Sequence, residues 1–216
     1  MRVPNEMKQD IVYSKLCAAY LPAMVSRFLE GPRPPLNAPS YMDEDLKVNN
    51  AYLEMMAAMS HSPYFTKFLR SQQPASQGGK QLLRVLASRL IEIAPGWDRR
   101  MQNPPSNHDP GYYESAAGTA VQMISTLLAA FVKEPENSPI LLAGEDKNSL
   151  LVWLNQWERR YRNEFLGRVC NRAKIQLERH SAMMTDAQQI RRMLKNWNVC
   201  GKPDCNVTSN LKVCGR

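Results

Sequence analysis

The chain has 216 residues, of which 44% are hydrophobic and 22% are charged. This composition is typical of a globular domain that needs no disulfide bonds to form a core, and it excludes a disordered polar chain. The longest apolar run, Ile124 to Val132, is about half the length of a membrane-spanning helix. The N-terminal segment has no apolar stretch like that of a signal peptide, so we expect an intracellular protein, cytoplasmic or nuclear, without membrane contact.

The net charge of +8 is concentrated at one end of the chain. Residues 1–157 contain 15 basic and 15 acidic side chains, whereas residues 158–216 contain 13 basic and 5 acidic ones. A segment with this excess of positive charge suits an acidic partner, either a protein surface or a nucleic acid. It is also compatible with a solvated, arginine-rich helix face.

Helical periodicity begins near the N-terminus. Asp10 is placed to cap a first helix with Leu16 and Tyr20 on its apolar side. Pro22 predicts a kink in this helix, because proline lacks the backbone N–H that the helix requires. Gly31, followed by several prolines, predicts the end of the helix.

The next two helices are separated by a short polar connection. A second helix is predicted from about Glu44 to Met59 on the basis of its apolar residues. Ser62 followed by Pro63 is typical of an N-cap and a first helical turn, and it predicts a short helix through Leu69.

Glycine and proline predict the boundaries in the middle of the chain. The composition of residues 71–79 is that of a flexible loop. A strongly apolar helix is expected after this loop, with Pro95 and Gly96 ending it. Asp109 and Pro110 then predict the start of another apolar helix.

The longest periodic region extends from about Asn148 to His180 and is interpreted as one helix. Thr185 to Gln188 has the form of a capping box that opens a further helix. No segment has the sustained alternation of a β-strand, and no repeat of fixed period is apparent. The sequence therefore predicts an all-α fold of about seven to nine helices over residues 1–196, followed by a short cysteine-containing segment over residues 197–216.

The most specific chemical signal is a cluster of three cysteines, Cys200, Cys205 and Cys214, within the last 17 residues. Gly201 and Pro203, between the first two cysteines, favour a tight turn that could direct both thiolates at one metal ion. In a reducing compartment, clustered cysteines indicate a metal site more often than a disulfide. The cluster therefore predicts a zinc-binding segment.

The spacing Cys-x4-Cys, followed by a short loop and Leu-x-x-Cys, resembles the first part of a MYND-type zinc finger. The resemblance implies that Cys200 and Cys205 form the first knuckle and that Cys214 is the third ligand. It also implies a module that binds two zinc ions and mediates protein–protein contacts. The gap between the first two cysteines is longer than the commonest two-residue spacing, which leaves another treble-clef or ribbon-type finger open.

Zinc in a structural site takes four ligands, and the fourth would fall at position 217, beyond the printed sequence. We therefore expect zinc binding by these three thiolates alone to be weak or absent. His180 or a second molecule could supply a further ligand, although His180 is more simply interpreted as a surface histidine on a helix.

The alternative function is nucleic-acid binding. Arg160, Arg168 and Arg172 are eight and four residues apart, which places them on roughly one face of the helix. Such a face could contact phosphates, with the terminal cysteines incidental. The nearby stripe of Trp153, Trp157 and Tyr161 is more typical of a core-facing side.

No enzymatic constellation is evident in the sequence. Cys17 is interpreted as a small core residue. Cys170 is flanked by Arg168 and Arg172, which could lower a thiol pKa, but no second feature supports a nucleophile and a packed thiol is the simpler interpretation. We therefore expect a non-enzymatic interaction protein with a protein partner and no small-molecule substrate.

Overall fold

A computed structural model describes residues 5–31, 45–70, 77–106, 109, 111–131, 142 and 144–178. These residues form α-helices without any β-strand, which confirms the predicted all-α fold. The helices within the described ranges are α1 (Asn5–Glu30), α2 (Ala51–Met59), α3 (Pro63–Arg70), α4 (Gln77–Gln102), α5 (Tyr112–Phe131), α6 (Gly144–Arg160) and α7 (Phe165–Glu178).

Helix α5 lies at the centre of the fold and packs against α2, α3, α4 and α7. Its buried positions include several alanines, which allow neighbouring helices to approach closely, and larger apolar residues that fill the space between them. These residues are Ala116, Ala117, Ala120, Val121, Ile124, Leu127 and Leu128. Burying each of the larger side chains stabilises the fold by about 1.5–3 kcal/mol, so this helix supplies much of the core.

The C-terminal end of α1 is fixed by a glycine and by an arginine from α4. Gly31 adopts a φ of 95°, and its N–H donates to the carbonyl of Phe28 over 3.2 Å. Arg89 donates to the carbonyls of Phe28 (2.6 Å) and Leu29 (3.0 Å), and its guanidinium lies 5.0 Å from the Phe28 ring centroid. These bonds satisfy carbonyls that have no partner within the helix, and they confirm the predicted end at Gly31.

The predicted apolar side of α1 is only partly correct. Leu16 packs against the core, but Tyr20 is 56% exposed. The buried face instead runs through Cys17, Leu21, Val25 and Phe28, because α1 packs against α2, α3 and α4 along that side. The helix continues through Pro22 to Glu30.

The start of α2 differs from the prediction, whereas the start of α3 agrees with it. Residues 45 and 46 are helical, but residues 47–50 interrupt the helix. Asn50, in an extended conformation, accepts hydrogen bonds from the N–H groups of Tyr52 and Leu53, each at 3.1 Å, so α2 itself begins at Ala51. This cap satisfies two of the free N–H groups at the helix start. Ser62 accepts from the N–H of Tyr64 over 3.3 Å, as an N-cap should.

Helix α4 contradicts both of its predicted boundaries. It already includes residues 77–79, and it continues through Pro95 and Gly96 to Gln102. Proline removes one intrahelical hydrogen bond, but Trp97 and Arg100 in the following turn bond to a buried carboxylate outside the helix. These tertiary contacts hold the last turn in helical form.

The region predicted as one long helix from Asn148 to His180 is two helices within its described part. Helix α6 ends at Arg160, residues 161–164 form a turn, and α7 begins at Phe165. The turn is closed by the N–H of Glu164 donating to the carbonyl of Tyr161 over 2.9 Å. It lets α7 fold back against both α5 and α6.

No helix in the described ranges is both long enough and apolar enough to cross a membrane.

Candidate functional site

The three clustered cysteines, Cys200, Cys205 and Cys214, lie outside the described residues, as do His180 and the predicted capping box at Thr185. The zinc prediction for residues 197–216 therefore stays a prediction. Within the described ranges, no group of three or more His, Cys, Asp or Glu side chains is arranged to hold a metal ion.

The two other cysteines are buried in the helical body. Cys17 is 3% exposed, and its Sγ lies 3.9 Å from the carbonyl oxygen of Met59. Burial raises the pKa of the Cys17 thiol to about 11 and that of Cys170 to about 12. Both thiols are therefore protonated at neutral pH and lack the thiolate needed for nucleophilic attack or metal binding. The interpretation of both as packed core residues is confirmed.

The three arginines of the nucleic-acid hypothesis do not share one helix. Arg160 is the last residue of α6, whereas Arg168 and Arg172 belong to α7. The prediction that all three lie on one helix face is therefore wrong. Each also has a partner within the protein. Arg160 donates to a carboxylate oxygen of Asp98, Arg168 to the carbonyl of Asn163 (3.0 Å), and Arg172 to the side-chain oxygen of Gln122 (3.3 Å).

A four-residue pattern of tryptophan, an acid and two arginines occurs twice and organises the described structure. It comprises residues 97–100 at the end of α4 and residues 157–160 at the end of α6. In both copies the tryptophan is fully buried, and the tryptophan and the last arginine, three residues apart, point to the same side of the helix. We call these the first and second Trp–Arg clamps.

The first clamp holds Asp45, which precedes α2 and is 6% exposed. Trp97 Nε1 donates to Asp45 Oδ1 over 2.6 Å, and Arg100 Nη1 donates to the same oxygen over 2.8 Å. The hydroxyl of Tyr113 lies 3.4 Å from Asp45 Oδ2, and Arg100 also lies over the Tyr113 ring. A buried carboxylate with three donors links the segment before α2 to α4 and α5.

The second clamp holds Asp98, the acidic residue of the first clamp. Trp157 Nε1 donates to Asp98 Oδ1 over 3.0 Å, and Arg160 bonds to the same oxygen. Gln156 (2.9 Å) and Gln102 (2.6 Å) donate to Asp98 Oδ2. Both oxygens of this carboxylate, which is 6% exposed, are therefore satisfied. The arrangement joins α4 to α6 in the interior.

The second clamp is linked in turn to α7, because its acidic residue, Glu158, pairs with Lys174 of that helix. Each clamp thus bonds to an acidic side chain from an earlier part of the chain, and its own acidic side chain bonds to a later helix. The sequence signal was present as two Trp-[Asp/Glu]-Arg-Arg segments, Trp97–Arg100 and Trp157–Arg160. Because two copies do not establish a fixed period, these segments are not recognisable as a periodic repeat.

A pair of glutamates near the turn between α6 and α7, Glu114 and Glu164, makes the stability of the fold depend on pH. The pKa of Glu114 is raised to about 7 by partial burial, by a hydrogen bond to Glu164 and by the negative charge of that residue. A carboxyl pKa that is higher in the folded protein stabilises the fold when protonated. This stabilisation is complete at pH values below 4.5, the ordinary pKa of the carboxyl group, and is lost as the pH rises through about 7.

We therefore expect the free energy of unfolding to decrease through this pair between about pH 5 and pH 8. Glu114→Gln removes the titrating group and should flatten this part of the stability curve, whereas Glu145→Gln, at an exposed position of α6, should leave its slope unchanged. Urea denaturation across this pH range measures the effect. Equal slopes for the wild type and Glu114→Gln would contradict it.

A surface hollow of about 730 Å³ lies along α6 and is lined by Val152, Asn155, Gln156, Arg159 and Arg160. It is open to solvent and contains amides, arginines and one apolar side chain. Two of these side chains, Gln156 and Arg160, also bond to Asp98.

Comparison with known proteins finds no matching family model, no matching curated protein and no matching solved structure.

Proposed function

We propose that this chain is a non-enzymatic protein-interaction protein, in which a helical body carries the first part of a zinc-binding, MYND-like finger, containing Cys200, Cys205 and Cys214 and incomplete in this sequence. The observation that carries the proposal is the clustering of three of the five cysteines within 15 residues. In their donor chemistry the three thiolates fit zinc, which takes four ligands in structural sites and favours sulfur. Zinc would fold the segment around itself and so shape a contact surface.

The contrast between the two sets of cysteines supports this division of roles. Cys17 and Cys170 are buried, and burial raises their thiol pKa values, so neither competes for metal at neutral pH. We place the protein inside the cell, in the cytoplasm or nucleus, where thiols stay reduced.

Metal binding by the three cysteines is tested with cobalt, which substitutes for zinc and gives a visible absorption that depends on thiolate ligands. Because three thiolates leave one of the four zinc positions open, we expect the chain to develop this absorption only weakly, at high Co²⁺ concentration, and to lose it when Zn²⁺ is added. The triple variant Cys200→Ser, Cys205→Ser, Cys214→Ser should lack it, because serine supplies no thiolate. Cys170→Ala serves as the control and should retain the wild-type absorption.

The same titration separates the alternatives. Absorption that survives in the triple variant, or that is lost in Cys170→Ala, would contradict the assigned ligands. A thiolate signal that appears only at a ratio of two chains per metal would show that a second molecule completes the site.

The alternative of nucleic-acid binding has less support from the described structure. Arg160, Arg168 and Arg172 are on two helices, and each is engaged within the protein. The basic excess in residues 158–216 is the observation that keeps this alternative open. Binding to duplex DNA or RNA that weakens steeply with salt would favour it.

A further inference from the structure

The hollow along α6 presents three residues in one stripe. Val152, Asn155 and Arg159 are three and four residues apart, so they lie on the same face of the helix. With a rise of about 1.5 Å per residue, Val152 and Arg159 are separated by roughly 10 Å along the helix axis. A ligand that contacts both must therefore extend over about two helical turns.

The two arginines of the hollow differ in their availability. Arg160 is committed to the buried Asp98, and this bond supports the fold. Arg159 is exposed and makes no hydrogen bond or ion pair with any residue in the described ranges. Arg159 is therefore the cation that this surface offers to an anionic group.

The other end of the stripe is apolar. Val152 is 62% exposed, the largest exposed fraction among the large hydrophobic residues that the structure describes. Asn155, midway between Val152 and Arg159, carries both a donor and an acceptor and can bond to a peptide backbone. A peptide in the polyproline II conformation advances about 3.1 Å per residue with three residues per turn, so side chains three residues apart share a face and lie about 9 Å apart, close to the distance from Val152 to Arg159.

We propose that this hollow docks an acidic peptide segment of a partner protein, in the polyproline II conformation, with an apolar side chain on Val152 and a carboxylate on Arg159 about three residues away. The charge of Arg159 complements the carboxylate, and the exposed Val152 gives the apolar residue a surface to cover. A nucleic acid fits less well, because duplex binding draws on many phosphate contacts and the hollow offers one uncommitted cation beside an apolar side chain.

The proposal rests on the protein-interaction role of the chain but not on zinc. Peptide binding and cobalt absorption are measured separately, and a chain without the cobalt signal can still bind the peptide. Failure of one proposal is therefore distinguishable from failure of the other.

The probe is a phage-displayed library of random linear peptides, selected on the full-length chain. We expect the recovered peptides to carry Asp or Glu about three residues from Leu, Ile, Val or Phe, the spacing that places both on one face of a polyproline II helix. A synthetic peptide of the recovered sequence, measured by fluorescence anisotropy, should lose about tenfold or more in affinity with Arg159→Glu, since a central contact carries much of the binding energy. Val152→Glu should have a similar effect.

Lys67→Glu makes the same charge change at an exposed position of α3 and serves as the matched control. We expect its affinity to stay within about twofold of the wild type, because a single distant charge is screened by salt. Circular dichroism establishes that the variants are folded. Arg160 is left unchanged because of its bond to Asp98.

Three results would overturn the proposal. One is a library that yields no binder, or binders without an acidic residue. Another is equal affinity of the selected peptide for the wild type and Arg159→Glu. The third is duplex DNA that binds through Arg159 while the peptide does not, which would assign the surface to nucleic acid.

Discussion

Asp98→Ala is expected to lower the free energy of unfolding by about 3 kcal/mol, because it removes a buried carboxylate that accepts four hydrogen bonds and leaves buried donors unsatisfied. The carboxylate of Asp98 accepts bonds from Trp157, Arg160, Gln102 and Gln156. Alanine leaves the buried indole N–H of Trp157 and the partly buried guanidinium without their acceptor, and each unsatisfied group adds a cost. Urea denaturation followed by tryptophan fluorescence measures the loss.

Glu145→Ala is the matched control for this substitution. It also removes a carboxylate, but at an exposed position in the first turn of α6, where favourable interaction with the helix dipole is worth at most about 1 kcal/mol. A double-mutant cycle of Asp98→Ala with Arg160→Ala should give a coupling energy of about 1 kcal/mol or more. An Asp98→Ala loss no larger than that of Glu145→Ala would show that the second clamp contributes little to stability.

Gly167→Ala is expected to destabilise the protein to a similar extent. A Cβ added at Gly167 would lie 2.0 Å from the carbonyl oxygen of Tyr161 and 2.9 Å from the Cα of Arg162. Both are backbone atoms of the turn between α6 and α7, so the turn must move as a unit to make room. We expect a loss of about 3 kcal/mol, at the upper end of the usual range for overpacking, measured as the shift in the urea midpoint.

Two other glycines test whether this loss comes from the close approach. A methyl group added at Gly96, inside α4, would meet no atom of another element within 4 Å, so Gly96→Ala should stabilise the protein by about 0.5–1 kcal/mol through helix propensity alone. At Gly118 the methyl group would press only on the ring of Phe165, which is 44% exposed and can turn away. Gly167→Ala as mild as Gly118→Ala would contradict the proposed steric role of the turn.

The helix boundaries that could be predicted were those determined by local chemistry. Ser62 followed by Pro63, and Gly31 at the end of α1, act through hydrogen bonds or backbone angles within a few residues. Such devices work in almost any surroundings, which is why sequence alone identifies them. Asn50 belongs to the same class, and its capping role could also have been identified from its side chain.

The boundaries that could not be predicted depend on partners far along the chain. Pro95 and Gly96 carry a strong local stop signal, yet α4 continues because Trp97 and Arg100 bond to Asp45, more than 50 residues away. The apolar periodicity from residue 148 onward continues across the break at residues 161–164. The turn at residues 161–164 separates α6 from α7 there, and α7 folds back to pack against α5 and α6.

Of the candidate sites, likewise, one could be predicted from the sequence and the other depends on the packing of the helices. The cluster of Cys200, Cys205 and Cys214 was evident from residue type and spacing, and it stays a prediction because these residues lie outside the described ranges. The hollow along α6 was not evident, because exposure of Val152 and Arg159 depends on how the other helices pack. The same holds for Arg160, whose charge suggested a surface role while the fold pairs it with Asp98.

The sequence by itself therefore determined the all-α class, the packed state of Cys17 and Cys170, and the helix ends at Gly31 and Ser62. Each follows from apolar periodicity or from bonds between near neighbours. The tertiary structure alone decided which carboxylates are buried, where α4 and α6 end, and that Arg160 is the arginine that pairs with Asp98. Burial of a carboxylate costs free energy unless donors from other helices form hydrogen bonds with it, and those bonds form only in the packed fold.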